Sequence, residues 1–210
     1  MKLGKRIFTT REIAMASGKS LSLATQALNN MAREGIVIKI CRGVWAQESN
    51  EPLSPYDVIP YLFPEHRVYV SFISALHLHG MIEQIPQVTT LASTSHAKTI
   101  RTKTGVFQAH HIIPSFFAGF GWSKDSGSLP ETPEVGHGFL IAEPEKALVD
   151  SLYLSAYKKK RFGHFPELHF PGSFSFKRAR AWTDRIHSKT TRAYVRKILA
   201  GICHPDDSRR

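Results

Sequence analysis

The chain has 210 residues, 42% of them hydrophobic and 21% charged, a globular composition long enough to bury a real core in one large domain or two small ones. Its formal charge of +11 points to a polyanionic partner, nucleic acid before membrane, and the lack of any 18-residue apolar run argues against a membrane-spanning helix. Two cysteines, Cys41 and Cys203, are too few for a disulfide framework or a cysteine zinc site, and no apolar segment follows the basic N-terminal residues, so a secretory leader is not expected and a cytoplasmic location is.

From Phe8 to Trp45 the pattern predicts helix, tight turn, second helix and β-hairpin, the layout of a winged helix-turn-helix. Thr9-Thr10-Arg11-Glu12 is an S/T-x-x-E capping box, in which the Thr9 hydroxyl takes an orphan backbone N–H and Glu12 reaches back. Ile13, Ala14 and Ala16 give a short apolar face, and Ser17-Gly18-Lys19-Ser20 breaks the helix. The second helix is expected from Leu21 to Glu34, ending at Gly35, with Ala24, Leu28 and Met31 as its buried stripe. Its opposite face carries Ser22, Thr25, Gln26, Asn29, Asn30 and Arg33, with Lys19 and Ser20 just ahead. Amides pair bidentately with adenine, and hydroxyls bond phosphate or base, so this face suits a major groove. Ile36–Ile40 and Val44–Ala46 read as the two wing strands around an Arg42-Gly43 turn, with Lys39 and Arg42 near the tip.

Gln47 to Pro55 is polar and holds prolines, so the domain boundary is placed there: a DNA-binding domain over 1–48 and a mixed α/β domain over 54–210, an α+β chain. Ser54-Pro55 opens a short helix that ends before Pro64. A strand over Arg67–Val70, a helix over Ser71–His79, a strand over Gln87–Ala92 and a hairpin over Thr99–Ile113 follow. Gly119 to Gly138 reads as a loose loop, Phe139–Ala142 as a strand, and Pro144 opens a strong helix through Tyr157 whose Ala147, Leu148 and Leu152 pack inward. Phe176 to Leu199 is expected as one or two helical pieces, with an apolar seam of Ala179, Trp182, Ile186, Tyr194 and Ile198 flanked by Arg178, Arg185, Arg192 and Arg196.

Charge is uneven along the chain. Residues 1–48 hold eight Lys/Arg against three Asp/Glu and residues 151–210 fourteen against four, whereas 49–150 hold six against ten. Lys158, Lys159, Lys160 and Arg161, after the strong helix, are therefore candidate auxiliary phosphate contacts. Catalytic patterns are weak by comparison. Glu143, Glu145, Lys146 and Asp150 suggest a metal-dependent nuclease, but Pro144 stands where such a motif needs an acid, and Lys146 and Asp150 have the spacing of an ordinary helical ion pair. His77 and His79 on a helix, and His110 and His111 on a strand, point to different faces, so no metal and no cofactor is expected.

The run SFISALHLHGMIEQIP from Ser71 to Pro86, followed by IAEPEKALVDSLYL from Ile141 to Leu154, resembles the AbiEi antitoxins of type IV toxin–antitoxin systems. The motif positions are Ser74-Ala75-Leu76, His79-Gly80, Ala142, Pro144-Glu145-Lys146-Ala147-Leu148, Asp150 and Tyr153, in the family's order over most of the chain. The resemblance implies a bacterial repressor of its own operon, not an enzyme. It also implies functional pairing with a nucleotidyltransferase-like toxin that is counteracted without a stable complex. A stand-alone, ligand-responsive transcription factor is the alternative, with a nucleic-acid-processing enzyme behind it.

Overall fold

The computed structural model describes residues 5–65, 67–123, 138–157 and 167–203. The chain divides into two units: Met1–Arg67 with Thr99–Phe107 and Ser123–Phe139, and Val68–Lys98 with Gln108–Trp122 and Leu140–Arg210.

The first unit opens with strand β1 (Ile7–Thr9) and continues through helices α1 (Thr10–Ser17) and α2 (Leu21–Arg33), strands β2 (Val37–Cys41) and β3 (Val44–Gln47), and helix α3 (Pro55–Leu62). Both strands of the expected wing are present, and β1 adds a third in the order β1-β3-β2, with Phe8 opposite Trp45. The sequence reading missed β1 because three residues before a capping box carry too little alternation to register as a strand. Phe8, Leu28, Val37 and Trp45 form one buried cluster, against which Ile13, Met31 and Ala32 pack. The Trp45 indole N–H donates to Thr10 Oγ1 at 2.9 Å, so its polar edge is satisfied inside that core. Of the apolar face expected on α1, only Ala14 is fully buried; Ala16 is exposed, since a helix of eight residues turns just one narrow stripe inward. The N-terminal unit is a winged helix-turn-helix, and a mixed α/β unit follows.

The second sheet has strands β4 (Val68–Val70), β5 (Val88–Ser93), β6 (Lys98–Thr102), β7 (Gly105–His111), β8 (Phe120–Trp122) and β9 (Leu140–Ala142), ordered β6-β7-β5-β4-β9-β8. Strand β4 pairs antiparallel with β5 and parallel with β9, which explains why Val68-Tyr69-Val70 is apolar on both faces. Strand β8 falls in the stretch read as a loose loop; its three residues pair with β9, and glycine at Gly119 and Gly121 masks the pattern. Gly119 is required twice over. Its φ is +76°, and a Cβ there would lie 2.4 Å from the Trp182 ring.

Helix α4 (Phe72–Leu78) starts on Phe72 at φ +56°, an unusual conformation for a bulky residue, and the side chain is held fully buried against His110 at 5.1 Å. Helix α5 (Pro144–Tyr157) packs against α4, α6 (Phe176–Asp184) and α7 (Lys189–Cys203), so Glu145 through Ser155 are all buried rather than one stripe. The expected Phe176–Leu199 helix is in two pieces. The break caps α6 at Arg185 and restarts α7 with the Ser188 hydroxyl accepting the Thr191 N–H at 3.2 Å. That restart resets the helical phase, so α7 buries Thr191, Val195 and Leu199, while Tyr194 is 39% exposed and Ile198 half-buried. Lys158, Lys159, Lys160 and Arg161 lie outside the described residues.

Candidate nucleic-acid interface

The interface begins with the two caps that aim α2. Thr9 Oγ1 accepts the Glu12 N–H at 3.2 Å while Glu12 accepts the Thr9 N–H at 2.7 Å, which closes the capping box and fixes the start of α1. Gly18 then turns the chain at φ +64°, a conformation that would strain any residue with a Cβ. Ser20 caps α2 by accepting the Leu23 N–H at 3.3 Å. These local bonds fix where each helix starts and how the chain turns between them.

A shallow concavity runs along α2, lined by Leu21, Ser22, Thr25, Gln26, Asn29 and Arg33. Five of these six were singled out from the sequence. Ser22, Gln26 and Arg33 are exposed, and Thr25 and Asn29 half-buried. The Thr25 hydroxyl donates to Leu21 O at 2.7 Å, so its proton is committed to the helix and only its lone pairs face outward. Ser20 is likewise committed as the cap. Asn30 and Lys19 are exposed but do not line the concavity. Leu21 is the residue the sequence reading missed: it opens the helix, is 53% exposed, and is the one large apolar side chain in the strip. The signal was its spacing: Leu21 stands four residues before Thr25 and so shares its face of the helix.

The wing supplies the cations. Lys39 and Arg42 are both exposed, with Lys39 Nζ 5.3 Å from the Trp45 ring centroid. Gly43 turns at φ +80° and its carbonyl accepts the Thr10 N–H at 3.0 Å, which ties the wing turn to the start of α1. No carboxylate lines the α2 concavity. Polar hydrogen-bonding groups on one helix and cations on an adjoining hairpin can serve base edges and phosphates respectively.

In the second unit Lys146 and Asp150 form the i,i+4 ion pair that their spacing suggested, and it lies within a buried network of the strong helix's acids and lysine. Lys146 and Asp150 are ion-paired with both side chains fully buried. Asp150 also accepts from the Tyr69 hydroxyl at 3.0 Å and the Ser71 hydroxyl at 2.7 Å, and Lys146 donates to Tyr69 Oη at 3.1 Å. The ammonium sits 3.8 Å from the Phe116 ring centroid. Burial pushes the Lys146 pKa down against the opposing pull of Asp150, and burial together with the Asp150 charge pushes Tyr69 well up. Glu145 is buried too, accepting from the Ser175 N–H and the Arg178 guanidinium, each at 2.8 Å. The network joins β4, α4, α5 and α6, with Glu145, Lys146 and Asp150 closed off from solvent and Arg178 reaching Glu145 from the surface. His77 and His79 bond different carbonyls, those of Ile82 and Ala142, and among the described residues no three His, Cys, Asp or Glu side chains converge as metal ligands do.

Residues 2–46, the winged module, match the family described as "Transcriptional regulator, AbiEi antitoxin". No curated protein matches the chain. The match falls on the capped helices and the wing, residues 2–46 of 210, and it supports recognition of that module as one of the AbiEi antitoxin transcriptional-regulator type.

Proposed function

We propose that this protein represses transcription from its own operator and serves as the antitoxin of a type IV toxin–antitoxin system. In this reading it counteracts a nucleotidyltransferase-like toxin in the cytoplasm without forming a stable complex, and has no hydrolytic activity of its own. Residues 1–48 are the DNA-binding domain and 54–210 the second domain, although Pro55–Leu62 and Thr99–Phe107 group with the first unit. Gln26, Asn29, Ser22, Thr25 and Arg33 face the major groove, with Lys19, Ser20 and Asn30 at its margins, and Lys39 and Arg42 hold phosphate. Lys158, Lys159, Lys160 and Arg161 add phosphate contacts. An exposed Leu21 on the same strip suits a thymine methyl. The observation that carries the reading is the carboxylate-free concavity on α2 beside a basic wing.

Gel-shift titration of the DNA upstream of the reading frame, against a random-sequence duplex, tests it. Gln26→Ala or Asn29→Ala is expected to lose about 1–3 kcal/mol of operator preference, whereas Arg42→Ala weakens both probes alike. Unchanged preference in both helix variants would refute the assignment of α2 as the reading helix.

A further inference from the structure

We infer that the turn of the β6–β7 hairpin is a second, non-wing element of the DNA interface, with Arg101 and Lys103 contacting the phosphate backbone beside Lys39 and Arg42. The inference rests on the DNA-binding reading above and extends it to residues that lie far from the winged helix in sequence.

The wing carries an irregularity. Strands β2 and β3 pair Lys39 with Trp45 and then Cys41 with Val44, so Ile40 is an extra residue, a bulge without an opposite number. Ile40 is 2% exposed, and a buried carbonyl at such a site needs a donor from elsewhere. That donor is the Lys103 N–H, at 3.2 Å, from the turn between β6 and β7. The turn residues Thr99–Phe107 belong to the same unit as the winged helix. The turn is itself braced, with Thr102 Oγ1 accepting the Thr104 N–H at 3.1 Å and donating to Gly105 O at 2.9 Å. The hairpin tip is therefore built into the wing two residues from Arg42 and one from Lys39.

What the tip presents is positive. Arg101 and Lys103 are exposed, while Ile100 and Thr102 between and beside them are half-buried. From Gln84 to Ser123 the sequence has no aspartate or glutamate, although the middle of the chain is acidic as a whole. Among the described residues, Lys39, Arg42, Arg101 and Lys103 form no ion pair with a carboxylate. The C-terminal arginines contrast with them. Arg178 is spent on Glu145, Arg196 on Asp184, and Arg185 lies over the Trp182 ring at 4.7 Å. Cations left without acidic partners and seated next to a wing are placed to neutralise phosphates, each contact releasing counterions from the duplex.

The test is a salt titration of the full chain on the upstream duplex and on a random-sequence duplex. Each phosphate contact contributes about 0.9 to the slope of log K against log[salt], so Arg101→Ala/Lys103→Ala is expected to flatten the slope by up to about 1.8 on both probes. Operator preference should stay as in the wild type. The charge-conserving pair Arg101→Lys/Lys103→Arg should restore the slope, and thermal melting checks that the alanine variant folds. A wild-type slope in the folded alanine variant overturns the inference. So does a flattened slope that the charge-conserving pair fails to restore, because the tip would then act on wing shape and not on phosphate. Failure of the wild-type chain to bind either duplex would overturn the repressor reading as well.

Discussion

Replacing Asp150 by alanine should be among the most damaging single changes in the second unit, and removing its partner as well should repair most of the damage. Asp150 receives three donors, the Lys146 ammonium and the hydroxyls of Tyr69 and Ser71, and all four side chains are fully buried. Its loss strands a buried charge, a change that costs roughly 3–5 kcal/mol. The lysine can escape by losing its proton. From an ordinary value of 10.5 that costs about 4.8 kcal/mol at pH 7, at about 1.36 kcal/mol per pH unit, which is the same size. The two hydroxyls each lose an acceptor, at about 1–3 kcal/mol apiece where no other is found. Even the low ends together reach about 5 kcal/mol, the bottom of the range for a whole domain.

Lys146→Met on the Asp150→Ala background removes the stranded ammonium and leaves an apolar chain of similar length against Phe116 and Trp182. It should recover roughly 3 kcal/mol or more relative to Asp150→Ala, and the coupling that a double-mutant cycle reads is that recovery plus the cost of Lys146→Met alone. Urea unfolding of the full chain at pH 7, followed by far-ultraviolet circular dichroism, measures all four corners. Asp150→Ala within about 1 kcal/mol of wild type would refute the argument, as would a double variant no more stable than the single.

Gly119→Ala should destabilise the second unit by more than the roughly 0.4–1 kcal/mol that Gly→Ala gains at a compatible site, because Trp182 must move and φ +76° is strained; a variant as stable as wild type in the same assay would contradict the packing described. Burial and the Tyr157 contact raise the Tyr153 pKa, so the folded state holds a proton that the unfolded chain releases above 10.0, and stability is lost as pH rises beyond that value. Tyr153→Phe should flatten the fall above pH 10 by about one proton, about 1.36 kcal/mol per pH unit. Lys146, shifted the other way, is present in both proteins and cancels in the comparison.

The winged helix was legible because its instructions are local. A capping box and a glycine turn each act within four residues, and the structure forms both where the sequence puts them. The strip on α2 was legible for the same reason, since helical period alone separates Ala24 and Leu28 from Ser22, Gln26 and Asn29. Long-range partners were not. β1 and β8 are three-residue strands that exist only through pairing with β3 and β9, and nothing inside them announces it. Lys146 and Asp150 have the spacing of a surface pair, and what removes them from water is β4, α4 and α6, all distant in sequence.

Charge counting met the same limit, and the limit has a functional consequence. Summed along the chain, the C-terminal segment is the more basic end, with fourteen Lys/Arg against four Asp/Glu. A sum does not say which cations the fold has already used. Arg178 and Arg196 hold acids of this chain, so the field they offer to a polyanion is largely cancelled at close range. Arg101 and Lys103 sit in a stretch whose average charge hid them, yet among the described residues they form no ion pair with a carboxylate and are exposed beside the wing. The backbone bond from Lys103 to Ile40 is what converts two scattered basic segments into neighbours. For a protein that grips a duplex by its phosphates, the count that matters is of unspent cations on one surface, and that count follows from pairing and burial, not from composition.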